Sequence, residues 1–278
     1  MPDGPGVAYR IWKPDAPRRL LVLLHGVGSN MTRWSEFISQ TALAESWDLL
    51  RLDLRGHNLS LHRGRIGMAE WCADLSAILA AEGYRQAVIA GHCLGAGIGM
   101  EFAVRHPDRT AGLILIEPVF RPALIGGMAR LARRRPVFIA LAHVLRALNA
   151  VGIHRRRLAP LDLEALDRET RALMARPDGA DALSRYVSPL LDLRTTATAV
   201  YIQSLIALTG PPVDLRAIRA PVLALLTRAG DFTDRAVTLR CLGQLADCRT
   251  VTMEARHWIP TEQPEAMREA IEGWCRAL

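Results

Sequence analysis

The chain has 278 residues, of which 50% are hydrophobic and 23% are charged, so it can bury the core of one large domain with an insertion. No apolar run approaches the roughly 18 residues that a membrane span needs, and no basic segment precedes an apolar one near the N-terminus. The five cysteines are odd in number and form no CxxC pair, which argues against a disulfide framework and against a zinc site. These features predict a cytoplasmic protein without a membrane span or signal peptide.

The positive charge is concentrated in the middle of the chain. The net charge is +7, and residues 121–214 hold 14 arginines against 8 acidic residues, which gives +6. Such a basic region would attract an anionic partner or a phosphate-bearing substrate. It contains no recognition motif for nucleic acid, so we expect no nucleic-acid partner.

Short apolar segments alternate with helical patterns along most of the chain. The segments that favour strands are residues 7–12, 20–24, 49–52, 87–90, 113–116, 222–227 and 249–253. The helical patterns cover residues 32–43, 68–81, 96–106 and 264–276, and one further helix ends at about residue 246. Continuous apolar runs are typical of strands buried on both faces of a parallel sheet. The alternation therefore predicts an α/β fold with a mostly parallel, doubly wound sheet.

The pattern changes between residues 120 and 212. Ala, Leu and Arg dominate this stretch, glycines and prolines interrupt it, and no strand is evident. In a doubly wound sheet, ligands bind at the carboxyl ends of the strands, where this stretch is inserted. We therefore predict a helical lid over residues 120–212, inserted into a core formed by residues 1–119 and 213–278.

The pentapeptide Gly91-His92-Cys93-Leu94-Gly95 lies between a predicted strand and a predicted helix. A sharp turn from strand to helix forces its middle residue into a strained conformation and presents that side chain above the sheet. Small residues are needed two positions to either side, because little else fits the turn. The context predicts that Cys93 is a nucleophile, although serine is usual at this position.

Acyl transfer by a nucleophile needs a proton acceptor and a group that orients this acceptor. Asp231 and His257 each follow a predicted strand, and with Cys93 they give the chain order nucleophile, acid, histidine. Two other carboxylates compete for the role of the acid. Asp234 lies three residues further on, and Glu117 closes the strand before the insertion. The position of Asp231 relative to its strand favours it.

Four segments carry a family pattern: Leu-His-Gly at 24–26, Asp-Leu-Arg-Gly-His-Asn-Leu-Ser at 53–60, Gly-His-Cys-Leu-Gly at 91–95 and His-Trp-Ile-Pro-Thr-Glu-Gln-Pro-Glu at 257–265. In this order they resemble the α/β-hydrolase superfamily, in its subgroup of cap-bearing esterases, thioesterases and C–C hydrolases. The chain departs from the family pattern at three positions. Cys93 replaces serine, and Asn58 and Arg256 stand where glycine is common.

The resemblance implies the α/β-hydrolase fold and a role for each candidate residue. Cys93 would be the nucleophile and His257 the general base and acid, with Asp231 orienting His257. Glu117 is the alternative acid, because some members of the superfamily take the acid from that strand end.

The resemblance also implies an oxyanion hole formed by the backbone N–H groups of Val27 and Leu94. His25, His92 and Trp258 are candidate pocket residues, and we expect His25 to stabilise the oxyanion loop as well. No metal or organic cofactor is implied.

Cysteine changes the expected chemistry at this position. A thiol ionises far more readily than a hydroxyl, and its acyl-enzyme is a thioester that exchanges with thiols and amines. We therefore predict an acyl hydrolase or acyltransferase acting on a thioester or activated ester, with a small-molecule acyl substrate carried by coenzyme A or by an acyl carrier protein. One alternative is an ordinary serine-type carboxylesterase or C–C hydrolase in which serine has been changed to cysteine. Another is a ligand receptor on a hydrolase fold.

Overall fold

In the part of the chain that the structure describes, seven strands form one central sheet. The computed structural model describes residues 6–14, 18–177, 182–228 and 230–278. The strands are β1 (Tyr9–Trp12), β2 (Arg19–Leu24), β3 (Trp47–Leu52), β4 (Ala87–His92), β5 (Thr110–Ile116), β6 (Val222–Thr227) and β7 (Cys248–Met253). Their order is β1-β3-β2-β4-β5-β6-β7, and every pairing is parallel except that of β1 with β3. The predicted α/β fold with a mostly parallel sheet is confirmed.

The central strands are buried from both sides. Along β2, Leu20, Val22 and Leu24 belong to one hydrophobic cluster, whereas Leu21 and Leu23 belong to a second cluster. Successive side chains of a strand point to opposite faces, so an unbroken apolar run needs apolar cover on both. Helices supply this cover.

The α-helices are α1 (Ser35–Gln40), α2 (Met68–Ala81), α3 (Leu94–Arg105), α4 (Gly126–Arg133), α5 (Arg135–Ala150), α6 (Leu163–Met174), α7 (Ser184–Val187), α8 (Pro189–Thr195), α9 (Thr198–Leu208), α10 (Arg235–Leu242), α11 (Ile259–Glu262) and α12 (Pro264–Ala277). None of the helices in the described residues is both long enough and apolar enough to cross a bilayer.

The helix predicted over residues 32–43 is divided into three pieces. The 3-10 turns Met31–Trp34 and Ala42–Glu45 flank α1. Thr41 between α1 and the second turn has an extended backbone (φ −76°, ψ 133°), and its hydroxyl accepts a hydrogen bond of 3.2 Å from the N–H of Leu43. A threonine side chain that bonds the backbone in this way competes with the helix, which explains the break.

Helices α4 to α9 lie between β5 and β6, and we call residues 121–208 the helical insertion. Helix α5 packs against α9, and α9 packs against α3 of the core. A buried ion pair joins α6 to the core, because Arg33 Nη1 lies 2.6 Å from both carboxylate oxygens of Asp167 and 2.6 Å from Thr261 Oγ1. The division of the chain at residues 120 and 212, and the role of the insertion as a lid, stay predictions.

The carboxyl ends of the parallel strands meet at one edge of the sheet. The loops that follow β2, β4, β5, β6 and β7 therefore converge, and they contain most of the candidate residues. This edge is where doubly wound folds bind ligands.

Candidate active site

The turn between β4 and α3 has the strained backbone that the sequence predicts. Cys93 has φ 53° and ψ −107°, and its N–H donates a hydrogen bond of 2.9 Å to Ile116 O of the neighbouring strand. A side chain at Gly91 would overlap the backbone of Gly95, and a Cβ atom at Gly95 would lie 2.5 Å from Leu24 O. Only glycine fits at either position, so the chain folds tightly around Cys93 and presents its thiol to the cavity.

The carboxylate that contacts His257 comes from the end of β5. His257 Nδ1 lies 3.3 Å from Glu117 Oε2, and both side chains are buried. The other oxygen, Glu117 Oε1, accepts a hydrogen bond of 2.7 Å from the N–H of Thr227. Glu117 also has a positive φ of 47°, a conformation that is rare for a residue other than glycine. Strain of this kind at a buried carboxylate is typical of functional sites.

Asp231 is not placed to orient His257, and the expectation for it is corrected here. Its Oδ2 atom lies 3.2 Å from Nε of Arg256, in a pair that is partly open to solvent. The next residue, Phe232, packs its ring edge-on against the His257 ring, with centroids 4.7 Å apart. The loop after β6 thus brings an aromatic side chain, rather than a carboxylate, to the histidine.

The other competing acid and the departures from the family pattern also have structural explanations. Asp234 caps α10 by accepting a hydrogen bond of 2.8 Å from the N–H of Val237. Asn58 has φ 41°, in the left-handed region where glycine is usual and asparagine is tolerated. Arg256, at a position where glycine is common in the family pattern, forms the ion pair with Asp231.

The environment of His257 favours its protonated form. Burial acts to lower the pKa of His257, but its hydrogen bonds with Cys93 and Glu117, together with the charges of these two groups, raise the pKa to about 9. Because Nδ1 faces Glu117, Nε2 is the nitrogen available to Cys93. A raised histidine pKa beside a thiol is the arrangement that promotes transfer of the thiol proton to the imidazole.

Glu262 holds the loop that carries His257. Its Oε1 atom accepts hydrogen bonds from three consecutive backbone N–H groups, those of Arg256 at 3.1 Å, His257 at 3.2 Å and Trp258 at 2.9 Å. The family pattern at 257–265 thus includes the carboxylate that fixes the histidine loop.

His25 lies behind the loop after β2. Its Nε2 atom accepts a hydrogen bond of 3.0 Å from the N–H of Leu54, so Nδ1 donates to Gly26 O at 2.8 Å. Burial lowers the pKa of His25 to about 4, which keeps the ring neutral. His25 therefore anchors the loop and does not line the cavity.

The predicted oxyanion donors lie next to Cys93. A Cβ atom built on Gly26 would be 3.4 Å from the Cβ atom of Cys93, so the loop that carries Val27 passes close to the nucleophile. Leu94 is the first residue of α3. The assignment of the Val27 and Leu94 N–H groups as an oxyanion hole stays a prediction.

A cavity of about 910 Å³ opens over Cys93 and His257. His92 and Trp258 lie in its wall, and His92 Nε2 also donates a hydrogen bond of 3.1 Å to His257 O. Burial lowers the pKa of His92 well below its usual range, so this ring is neutral and serves as a backbone anchor. The helical insertion supplies much of the apolar wall through Leu131, Phe138, Leu166, Tyr186, Ile202 and Leu205.

The sequence profile of the alpha/beta hydrolase family matches residues 21–270. This chain belongs to the alpha/beta hydrolase family.

Relatives of this hydrolase carry several names. A provisionally named carbamate hydrolase, RutD, from Caulobacter segnis is 29% identical over 122 residues, which are 42% of this chain and 45% of that protein. Epoxide hydrolase B from Mycobacterium tuberculosis is 33% identical over 129 residues, 44% of this chain and 36% of that protein. The match thus spans less than half the length of these curated relatives. The solved enol-lactonase from Burkholderia xenovorans shares the fold, with a TM-score of 0.69 at 18% identity over 97% of this chain and 96% of the other.

No pattern in the sequence predicts the position of two charged side chains in the cavity wall of this hydrolase. The first, Arg33, is buried by its ion pair with Asp167, and its guanidinium carbon lies 5.2 Å from the centre of the Tyr186 ring. The Tyr186 hydroxyl in turn donates a hydrogen bond of 2.6 Å to Asp167 Oδ1. The two charges are 134 positions apart in the chain, so no local pattern pairs them.

The second is Asp192, on α8 of the helical insertion. A Cβ atom built on Gly28 would lie 2.5 Å from Asp192 Oδ1, so this carboxyl sits directly against the loop that follows β2. Burial raises the pKa of Asp192 to about 6, although a hydrogen bond from Tyr201 works in the opposite direction. Gly28 has φ 65° and leaves the room that the carboxyl occupies.

Within the described residues, no group of three or more His, Cys, Asp or Glu side chains could hold a metal ion.

Proposed function

We propose that this hydrolase-family protein is an acyl hydrolase or acyltransferase that forms a covalent acyl-enzyme on Cys93, with His257 as its base and acid. Glu117, rather than Asp231, is the acid of the proposed triad. The observation that carries the proposal is the hydrogen bond between His257 Nδ1 and Glu117 Oε2, which leaves the opposite ring nitrogen for the thiol of a strained strand-to-helix turn.

In the proposed first half-reaction, the Cys93 thiol transfers its proton to Nε2 of His257. The sulfur then attacks the carbonyl carbon of the substrate, and the carbonyl oxygen becomes an oxyanion that accepts hydrogen bonds from the N–H groups of Val27 and Leu94. When the tetrahedral intermediate collapses, the bond to the leaving group breaks. The imidazolium of His257 returns its proton to that group, and the acyl chain remains on Cys93 as a thioester.

In the second half-reaction, water or another nucleophile attacks this thioester. Nε2 of His257 removes the proton of the attacking group, and the released Cys93 sulfur takes that proton back. Glu117 orients the imidazole and stabilises the imidazolium formed in each half-reaction. Water gives hydrolysis, and an amine or thiol gives acyl transfer.

The cavity supports an apolar acyl group as the substrate. Its walls are mainly apolar, and its volume of about 910 Å³ is at the upper end of the range usual for small-molecule sites. We propose that a thioester or an activated ester delivers the acyl group, with coenzyme A or an acyl carrier protein as the carrier. The helical insertion, which forms much of the wall, would then act as the lid that excludes water.

Intact-protein mass spectrometry tests the proposal. The protein is mixed with acyl-coenzyme A thioesters of increasing chain length, with p-nitrophenyl esters of the same acids and with a lactone series. We expect an acyl adduct that is absent from Cys93→Ala and present in Cys241→Ala, which removes a partly exposed thiol away from the site. Unchanged turnover by Cys93→Ala would contradict the proposal. Faster turnover of esters by Cys93→Ser than by the wild type would favour serine-type chemistry.

A further inference from the structure

Helix α5 turns an uninterrupted apolar face outward. We use the name α5 stripe for the seven exposed residues Val137, Ala140, Leu141, Val144, Ala147, Leu148 and Val151. Steps of three or four residues place the first six on one face of α5, and Val151 follows at its C-terminal cap, so the stripe is about 21 Å long. The three valines are 66%, 56% and 72% exposed, so this face has no cover within the described part of the chain.

The α5 stripe lies within the most basic part of the sequence. Residues 118–161 contain nine arginines and no aspartate or glutamate. Six exposed arginines flank the stripe, three before α5 and three after it: Arg130, Arg133, Arg134, Arg155, Arg156 and Arg157. One of them, Arg155, donates hydrogen bonds to the backbone oxygens of Leu193 and Thr196.

We propose that the α5 stripe docks this protein onto the surface of an anionic membrane. A helix that lies in a bilayer interface needs apolar side chains on one face and cations that reach the lipid headgroups. The stripe supplies the first, and the arginines at its two ends supply the second, because long cationic side chains can extend to the headgroups while the helix lies deeper. The helix lies on the membrane in this arrangement and does not cross it.

A second copy of the chain fits the stripe less well. Pairing two stripes would bring together two segments that each carry nine arginines and no acidic residue, and like charges across an interface oppose association. An acidic carrier protein would satisfy the arginines, but protein interfaces of that kind contain hydrogen-bonding groups that the seven apolar side chains of the stripe do not match. A lipid surface satisfies both features.

Helix α5 lies between the proposed membrane surface and the cavity that would bind the substrate. Phe138, on the inner side of the same helix, lines the cavity over Cys93, and so does Leu131 of α4. The wall of the apolar cavity and the α5 stripe are therefore opposite sides of the same helical layer. A docked protein would hold the cavity within a helix diameter, about 10 Å, of the hydrocarbon region, where apolar acyl compounds accumulate.

Vesicle flotation tests the proposal with the full chain and without any activity readout. We expect binding to vesicles that contain phosphatidylglycerol in phosphatidylcholine, weak binding to pure phosphatidylcholine, and a marked loss of binding as salt is raised. The triple variant Val137→Ser, Val144→Ser, Val151→Ser should reduce binding at least tenfold. The control Leu59→Ser, Leu61→Ser changes two leucines that are equally exposed on the core and should bind within twofold of the wild type.

A second pair of variants tests the charges. Replacing Arg155, Arg156 and Arg157 by glutamine should weaken binding and flatten its dependence on salt. Replacing Arg216, Arg219 and Arg240 makes the same change in net charge at exposed positions of the core and should have little effect. Cys93→Ala should bind vesicles as the wild type does, so failure of the proposed acyl chemistry and failure of docking are separate outcomes.

Two results would overturn the proposal. Equal binding of the wild type and the valine variant to anionic vesicles would show that the α5 stripe does not mediate docking. Absence of vesicle binding, together with either dimerisation or binding to an acidic acyl carrier protein that the valine variant loses, would assign the stripe to a protein partner.

Discussion

Nδ1 of His257 lies 3.3 Å from Oε2 of Glu117, and these two residues come from the ends of strands β7 and β5, which are not neighbours in the sheet. The intervening strand, β6, still contributes to the contact, because the N–H of Thr227 at its end donates to the other oxygen of Glu117. The Glu117 carboxyl group is therefore held by one strand while it contacts a histidine from another.

Glu117→Gln should lower kcat/KM by roughly 10²–10⁴-fold, because an amide neither holds the imidazole in the correct tautomer nor stabilises the imidazolium. Asp231→Asn should change it less than about threefold, since Asp231 pairs with Arg256 at the surface. The two isosteric variants are compared on the ester or thioester that the wild type turns over fastest. The reverse ranking would restore Asp231 as the acid.

The ionisation of His257 should depend on the residue at position 93. Interactions with the thiol help to raise the pKa of His257 to about 9, and a serine hydroxyl does not ionise in this range. In Cys93→Ser, the pKa should fall towards 6.5, as followed by the Cε1–H resonance of His257 in an NMR titration. The signal is assigned from its loss in His257→Gln. A pKa that is the same in Cys93→Ser and the wild type would mean that the thiol does not contribute.

Asp192→Asn should stabilise the protein in a manner that depends on pH. Because the pKa of Asp192 is raised from 3.8 to about 6, the folded protein keeps a proton that the unfolded chain releases, and the free energy of unfolding decreases as pH rises from about 4 to 6. Asparagine removes this loss. The free energy of unfolding of Asp192→Asn should therefore exceed that of the wild type by almost nothing at pH 4 and by at most about 3 kcal/mol above pH 6.

Urea denaturation at pH 4, 5, 6 and 7 measures this difference. Asp247→Asn makes the same change in net charge at an exposed position, and the gain in free energy of unfolding for Asp192→Asn is measured relative to this control. A gain for Asp192→Asn that is equally large at pH 4 would point to an effect other than ionisation.

The two glycines of α3 at positions 95 and 99 should respond in opposite directions to alanine. A Cβ atom at Gly95 would lie 2.5 Å from Leu24 O, whereas at Gly99 the nearest atom is the Ile89 side chain at 3.4 Å. Gly99→Ala should increase the free energy of unfolding by roughly 0.5–1 kcal/mol, because alanine has the higher helix propensity. Gly95→Ala should reduce the melting temperature and displace Cys93, which is measured by calorimetry and by the rate of thiol alkylation. Equal behaviour of the two variants would contradict the close packing of the turn.

Much of this architecture can be predicted from the sequence, and the reasons are local. Buried parallel strands appear as continuous apolar runs, so β2 and β6 were predicted to within one residue. The turn at Cys93 is predicted because its glycines are required by contacts within a few residues and with the adjacent strand.

The carboxylate that contacts His257 cannot be predicted in the same way, because the loops after β5 and β6 end at the same edge of the sheet and both contain a carboxylate. The choice depends on the positive φ of Glu117 and on the ring of Phe232 against His257. Neither has a signature in the order of residues. The contacts of Arg33 with Asp167 and of Asp192 with the Gly28 loop cannot be predicted from the sequence either. Each joins the core to a helix of the insertion that is distant in the chain.

The location of Glu117 has a consequence for how this enzyme scaffold can be altered. The chain passes from Glu117 into the helical insertion through Pro118, so the proposed acid and the insertion share one attachment point. A chimera that receives the insertion of a relative must keep this junction or lose the acid with it. The loop after β6 supplies no carboxylate to His257, so Asp231 itself can be changed, but the loop must keep Phe232 against the His257 ring and Thr233 paired with Leu124 at the start of the insertion.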